Sequence, residues 1–168
     1  LETELDVDQR NLVEVIRNSS QALLDLINDT LDFSKLEAGR LELETLDFDL
    51  RVTVDQVGAL LAPIANDKQL AFDCRVSHEV TSRLKGDPGR LRQVLLNLGG
   101  NANKFTESGR VSLNVERVSE TDEKVELRFT VQDTGAGMSR ESLSKLFQNY
   151  SQADPAIARK YGGTGLGL

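Results

Sequence analysis

Three polar side chains in the segment 97–106 have the spacing of one helix face. Asn97, Asn101 and Lys104 recur at intervals of four and three residues. At about 3.6 residues per turn, this spacing places all three on a single stripe of a helix. Amide oxygens can ligate Mg²⁺, and a lysine ammonium can bind phosphate oxygens. The stripe therefore predicts a site for a metal ion and phosphates rather than a buried helix face.

Two glycine-rich segments lie further along the chain, at 133–138 and 162–168. Asp133 follows a predicted strand, and its carboxylate can accept a hydrogen bond from the exocyclic amine of adenine. The glycines after it allow the backbone to turn tightly beside a ligand. Backbone N–H groups of the second segment can cradle phosphates, although it matches neither a Walker loop nor a Rossmann fingerprint. Each segment alone is also typical of a simple turn, but with the stripe they predict a nucleotide site.

The composition limits the classes of protein and partner. The chain has 168 residues, of which 39% are hydrophobic and 28% charged, as in globular domains. No apolar run approaches the length of a membrane span. The net charge of −7 disfavours nucleic acid as a partner. The single cysteine, Cys74, excludes a disulfide within the chain and fits a reducing compartment.

The N-terminal part predicts one long amphipathic helix over residues 8–37, with Asp8 as its cap and Gly39 just beyond its end. We expect one arm of a helical bundle or coiled coil, because the apolar seam is longer than that of a typical globular helix. A surface helix on the following domain is the alternative. The seam comprises Leu12, Ile16, Ser19, Leu23, Leu26, Ile27 and Phe33.

Helices and strands are interspersed over the rest of the chain. We predict strands at 41–50, 70–76, 111–118 and 125–131, helices at 52–65, 87–105 and 139–146, and loops at 77–85 and 148–163. This order predicts an α+β fold, a two-layer sandwich with helices on one face of a mixed sheet, preceded by the long amphipathic helix. The inward helix residues are predicted to be Val54, Val57, Leu60, Leu61 and Ile64, and then Leu91, Val94, Leu95 and Leu98.

Taken together and in this order, the motifs resemble the catalytic region of sensor histidine kinases, especially the hybrid type of two-component signalling. Residues 87–106 resemble the N box of that family, 133–138 its first glycine box, 146–154 its F box and 159–168 its second glycine box. Residues 27–39 resemble the end of the second helix of its dimerisation hairpin. The resemblance covers nearly the whole chain.

The resemblance implies a Bergerat-type ATP-binding fold that transfers the γ-phosphoryl group of ATP to a histidine. It implies catalytic roles for Asn97 and Lys104 and coordination of Mg²⁺ by Asn101, with Asn97 in support. Asp133 would read adenine, and the loop after Phe147 would form the ATP lid. The implied nucleotide-binding residues are Asn101, Asp133, Gly135, Gly137, Phe147, Arg159, Lys160, Gly163, Thr164, Gly165, Leu166 and Gly167.

The resemblance also implies domains and partners. Residues 1–40 would form part of the second helix of the dimerisation and phosphotransfer hairpin, and residues 41–168 a catalytic ATP-binding domain truncated after the second glycine box. The implied partners are ATP, a second copy of the chain through the N-terminal helix, and a response-regulator receiver domain. No nucleic acid and no membrane contact are expected for this segment. We expect a cytoplasmic location, including the case of a membrane-anchored parent.

The phosphoacceptor histidine of the family is expected outside this chain. The family carries it in a His-Glu-x-Arg-Thr-Pro context, and the only histidine here is His78. Thr81, Ser82 and Arg83 stand where that motif has Arg-Thr-Pro. His78 is therefore predicted to be an exposed loop residue.

Two other functions are weighed against the kinase. A degenerate nucleotide-binding or dimerisation scaffold without kinase activity is favoured by Gly99, Gly100 and Asn103 inside the N-box helix, where each glycine costs about 0.5–1 kcal/mol relative to alanine. The family commonly has aliphatic residues near 99 and 103. A water-using ATPase is disfavoured because related ATPases have a glutamate at the place of Asn97, and an amide cannot act as a general base at neutral pH.

Overall fold

The computed structural model describes residues 6–140 and residue 143, without the side chains of residues 18, 22, 25, 26, 29 and 33. The chain separates into two compact units, with the boundary between Glu42 and Leu43. None of the helices among the described residues is both long enough and apolar enough to cross a membrane.

The first unit contains the helix α1 (Val7–Glu37), whose N-cap, Asp6, lies two residues before the predicted cap. Asp6 accepts a hydrogen bond from the Gln9 N–H at 2.8 Å, and the Asp6 N–H donates to the Gln9 side chain at 3.2 Å. This reciprocal capping box requires an acceptor three residues before a Gln or Glu, a condition that Asp6 meets. The prediction of Asp8 as the cap is therefore wrong, and Asp8 lies in the first turn.

The end of α1 follows the prediction. Gly39 has a φ of +63°, which a glycine adopts without steric cost. The Arg40 N–H donates to the Lys35 carbonyl at 2.8 Å and the Gly39 N–H to the Leu36 carbonyl at 3.0 Å, which is a Schellman motif. Along the helix, the seam residues Leu12, Ile16 and Leu23 are each 60–63% exposed.

The described residues of the second unit form two sheets and two long helices. Its elements are β1 (Leu46–Asp49), α2 (Leu50–Asp67), β2 (Ala71–Val76), β3 (Arg83–Gly86), α3 (Pro88–Phe105), β4 (Arg110–Glu120) and β5 (Val125–Asp133). The larger sheet has the strand order β2-β4-β5, with β2 parallel and β5 antiparallel to β4. The smaller sheet is the antiparallel pair β1-β3. The α+β fold class predicted from the sequence is confirmed.

Two predicted boundaries in this unit are wrong. The strand predicted at 41–50 is limited to β1, and the loop predicted at 77–85 ends in β3. Both differences have one cause, since β1 and β3 pair with each other over four residues, from Leu46 opposite Gly86 to Asp49 opposite Arg83. A strand exists only where it has a partner, and this partner is more than thirty residues away in the chain.

The core lies between the two helices and the larger sheet. Residues on α2 recur at spacings of three and four, and they pack with α3 and β4. The predicted inward residues Leu60, Ile64 and Val94 are instead 48–54% exposed. Leu60 and Ile64 each lie one residue, about 100°, to the side of the buried stripe. The buried stripe consists of Leu50, Val54, Val57, Leu61 and Ala65, facing Leu95, Leu113 and Val115.

Candidate active site

The start of α3 is fixed by a single carboxylate. Asp87 is the N-cap, and its Oδ1 accepts from the Arg90 N–H at 2.9 Å. Its Oδ2 accepts from the Glu44 N–H at 3.1 Å. The hydrogen bond from Arg90, followed by that from Glu44, holds the pKa of Asp87 below its ordinary value. Pro88 occupies the first turn, so the predicted start of this helix is confirmed.

The two faces of α3 differ in character. The inner face is buried and consists of Leu95, Gly99, Ala102 and Asn103. The stripe of Asn97, Asn101 and Lys104 lies on the opposite side, with Asn97 exposed and the other two half-buried. The Lys104 ammonium lies 5.3 Å from the centre of the Phe105 ring. The helix therefore presents two amides and an ammonium away from the core, as their spacing predicts.

The unusual residues of the inner face have a packing role. A Cβ added to Gly99 would collide with Leu61 Cδ1 on α2. Asn103 is fully buried, and its Nδ2 donates to the Leu61 carbonyl at 3.0 Å. Its Oδ1 receives no hydrogen bond from the residues that the structure describes. Leu61 thus contacts α3 through both its side chain and its carbonyl, which holds the two helices close together.

Asp133 is the last residue of β5, and its carboxylate stabilises the turn that follows. Its Oδ1 accepts from the Gly135 N–H at 2.8 Å. No described residue donates to Oδ2, so this oxygen is available to a donor on a ligand. Thr134, which the sequence did not single out, fixes the turn on β4. Its N–H donates to the Arg110 carbonyl at 3.1 Å, and its Oγ1 accepts from the Arg110 N–H at 3.0 Å.

The first glycine segment packs against the end of α3. A Cβ added to Gly135 would lie 2.6 Å from the Phe105 carbonyl oxygen, so only glycine permits this approach. Gly137 has a φ of +68°, which also favours glycine. The backbone contact at Gly135 brings the turn that carries Asp133 to the last turn of α3, which carries Lys104.

The remaining predicted site residues lie outside the described residues. They are Phe147, Arg159, Lys160, Gly163, Thr164, Gly165, Leu166 and Gly167. The predicted helix 139–146 and loop 148–163 also fall largely or wholly there. His78 lies in an exposed turn after β2, as predicted. Within the described part of the chain, no three His, Cys, Asp or Glu residues form a group that could hold a metal ion.

Two known protein families match parts of the chain. Residues 86–168 match the family "Histidine kinase-, DNA gyrase B-, and HSP90-like ATPase", and residues 1–39 match the "His Kinase A (phospho-acceptor) domain". The chain is 46% identical to the signal transduction histidine-protein kinase BarA of Escherichia coli K12 over all of its 168 residues. It is 44% identical to the sensory/regulatory protein RpfC of Xanthomonas campestris over 98% of its length.

The chain spans 18% of BarA and 23% of RpfC. Among solved structures, full-length ShkA in complex with AMPPNP has a TM-score of 0.74 and 38% identity, covering 98% of this chain and 33% of that one. Helix α3, the mixed sheet and the glycine turn define an ATP-binding domain of the kinase, gyrase and chaperone type. With a phospho-acceptor domain match ahead of it, the chain belongs to the sensor histidine kinases.

Proposed function

We propose that this chain is the ATP-binding catalytic region of a two-component sensor histidine kinase, which transfers the γ-phosphoryl group of ATP to a histidine outside the chain. The observation that carries the proposal is the outward stripe of α3 beside the turn that follows β5. Asn97, Asn101 and Lys104 lie on that stripe, and Gly135 packs on the final turn of the same helix. One ligand can therefore contact both elements.

The residues present fit Mg²⁺ together with ATP. Mg²⁺ is commonly held by few protein oxygens plus substrate phosphates, so an amide oxygen on the stripe can complete its coordination beside the phosphates. Asn101 would hold the ion, with Asn97 in support, and the ion would supply charge stabilisation at the phosphates. Lys104 would bind phosphate oxygens, and Asp133 Oδ2 would accept a hydrogen bond from the exocyclic amine of adenine. The glycines of the segment 162–168, with Arg159 and Lys160, are proposed to complete the phosphate contacts.

These side chains suit phosphoryl transfer better than hydrolysis. Transfer of a phosphoryl group depends mainly on positioning and on stabilising negative charge. Lys104 and the backbone N–H groups of the turn after β5 would supply positive potential, whereas Asn97 cannot remove a proton from water at neutral pH. The acceptor is therefore proposed to be a histidine brought to the site rather than water.

The domain organisation and partners are part of the same proposal. Residues 1–40 would be the second helix of a dimerisation and phosphotransfer hairpin, and residues 41–168 the catalytic domain. The chain would pair with a second copy through α1 and act with a response-regulator receiver domain. A scaffold without activity is less favoured, because Gly99 and Asn103 each contact Leu61 and so have a packing reason to be there.

The test is calorimetric titration of the chain with a non-hydrolysable ATP analogue and Mg²⁺. We expect Asp133→Asn and Asn101→Ala each to weaken binding by about ten- to a hundredfold, since each removes a hydrogen-bonding or ligating oxygen. The matched controls are Asp122→Asn and Asn66→Ala, at exposed positions outside the site, and these are expected to bind as the wild type does. A folded wild-type chain that binds no nucleotide would instead support the scaffold.

A further inference from the structure

Lys68 lies at the end of α2 and reaches across to the end of α3. Its ammonium donates to the carbonyls of Asn103 at 2.7 Å, Lys104 at 2.9 Å and Thr106 at 3.4 Å. An ammonium has three donors, and here they are directed at three carbonyls within about one turn of the backbone. The last carbonyls of a helix have no partner within the helix, so Lys68 supplies what α3 lacks.

The turn that ends α2 fixes the position of Lys68. Lys68 is the C-cap, and Gln69 after it has a φ of +57°. The Leu70 N–H donates to the Ala65 carbonyl and the Gln69 N–H to the Asn66 carbonyl, both at 2.9 Å. This is a Schellman motif with a glutamine in the place usually taken by glycine. The backbone that carries Lys68 is thus held by two hydrogen bonds of its own helix.

The charge of Lys68 matters because of where phosphate is proposed to bind. Lys104 lies in the last turn of α3, and the carboxyl end of a helix carries about half a negative charge. A nucleotide phosphate brought to Lys104 would therefore be repelled by the helix that presents it. An ammonium bonded directly to those carbonyls cancels the negative end of the dipole.

We propose that Lys68 is a positioning residue of the nucleotide site, which makes the last turn of α3 compatible with a polyphosphate. The proposal rests on the proposed ATP-binding function. Lys68 acts through the carbonyls of residues 103, 104 and 106, and so contacts the backbone of Lys104 rather than the ligand. Its effect is therefore expected to depend on the number of phosphates that the ligand carries.

The test compares Lys68→Met, which keeps the length of the side chain without its charge, with Lys68→Arg, which keeps the charge. Calorimetry with Mg²⁺ and the non-hydrolysable ATP analogue measures the affinity for the triphosphate. An NMR titration, which can measure millimolar affinities, gives the affinity for adenosine. We expect Lys68→Met to weaken the binding of the triphosphate by roughly five- to tenfold and the binding of adenosine by less than about twofold. Lys68→Arg is expected to restore most of the triphosphate affinity.

Lys124→Met is the matched control, because it removes the same charge from the β4-β5 turn. It is expected to leave both affinities unchanged. Equal weakening of triphosphate and adenosine by Lys68→Met would show a purely structural role and overturn the proposal, as would no weakening at all. A wild-type chain that fails to bind the triphosphate would overturn the proposed function itself, which is a separate result.

Discussion

At the scale of single residues, Gln69 has a backbone conformation unsuited to its type. Its φ of +57° lies in the left-handed region, where a residue with a Cβ pays about 1–2 kcal/mol. The conformation persists because only three residues, 68–70, connect the end of α2 to the start of β2. Local strain of this kind is kept only where the surrounding structure requires it.

We predict that Gln69→Gly stabilises the chain. Relief of the left-handed strain exceeds the entropy that glycine adds to the unfolded chain, so we expect the free energy of unfolding to rise by about 0.5–1 kcal/mol. Urea unfolding measures this change. Asn66→Gly, three residues earlier inside the right-handed helix, is the control and is expected to lower the same free energy by a similar amount. A loss of stability in both variants would contradict the account of the turn.

Single residues also mark the limit of what the sequence predicts. The stripe of Asn97, Asn101 and Lys104 follows from spacing alone, because helical periodicity is a local property. The contacts of Lys68 and Asn103 do not, since each joins residues at least 35 positions apart. A lysine after a helix is ordinary in sequence. Only the packing of α2 beside α3 brings the Lys68 ammonium within hydrogen-bond distance of three carbonyls.

At the scale of elements, α3 was the most predictable part of the fold. Asp87 and Pro88 are adjacent signals for a helix start, and both act within one turn. The pair β1-β3 was missed for the opposite reason. Its four-residue strands are too short to show a clear alternation of apolar and polar residues, and their pairing depends on residues far apart in the chain. Similarly, Leu60 and Ile64 on α2 were predicted to face inward but are exposed. In the sequence, an apolar residue beside the buried stripe cannot be distinguished from one within it.

The close packing of α2 and α3 leads to a prediction for two adjacent glycines. A Cβ at Gly100 would meet nothing within 4 Å, so Gly100→Ala is expected to raise the free energy of unfolding by about 0.5–1 kcal/mol through helix propensity. Gly99→Ala has the same propensity gain but displaces the buried Leu61 side chain. We expect it to be less stable than Gly100→Ala by about 1–3 kcal/mol. Thermal or urea unfolding of the two single variants measures the difference.

A double variant isolates the cause. Leu61→Ala removes the atoms that a Cβ at position 99 would meet. Gly99→Ala is therefore expected to be less costly in that background, with a coupling free energy of about 0.5–3 kcal/mol. Purely additive effects would mean that Leu61 does not limit the approach of the two helices.

At the scale of the whole molecule, the two units differ in how their apolar residues are used. The second unit buries its core between helices and sheet, so its fold class was predictable from the order of helices and strands. Among the described residues, the first unit has the helix α1 and no second element that covers the seam. The seam residues Leu12, Ile16 and Leu23 remain 60–63% exposed. Helices in proteins gain most of their stability from packing an apolar face, so we expect the seam to pack against a partner.

We predict that the seam of α1 pairs with a second copy of the chain. Ile16→Lys places a charge on the seam and is expected to raise the dissociation constant of the dimer at least tenfold, since an isoleucine loses its burial. Glu14→Gln changes the net charge by the same amount away from the seam and is expected to leave dimerisation unchanged. Sedimentation equilibrium over a range of concentrations measures both constants. A wild-type chain that stays monomeric at every concentration would contradict this prediction.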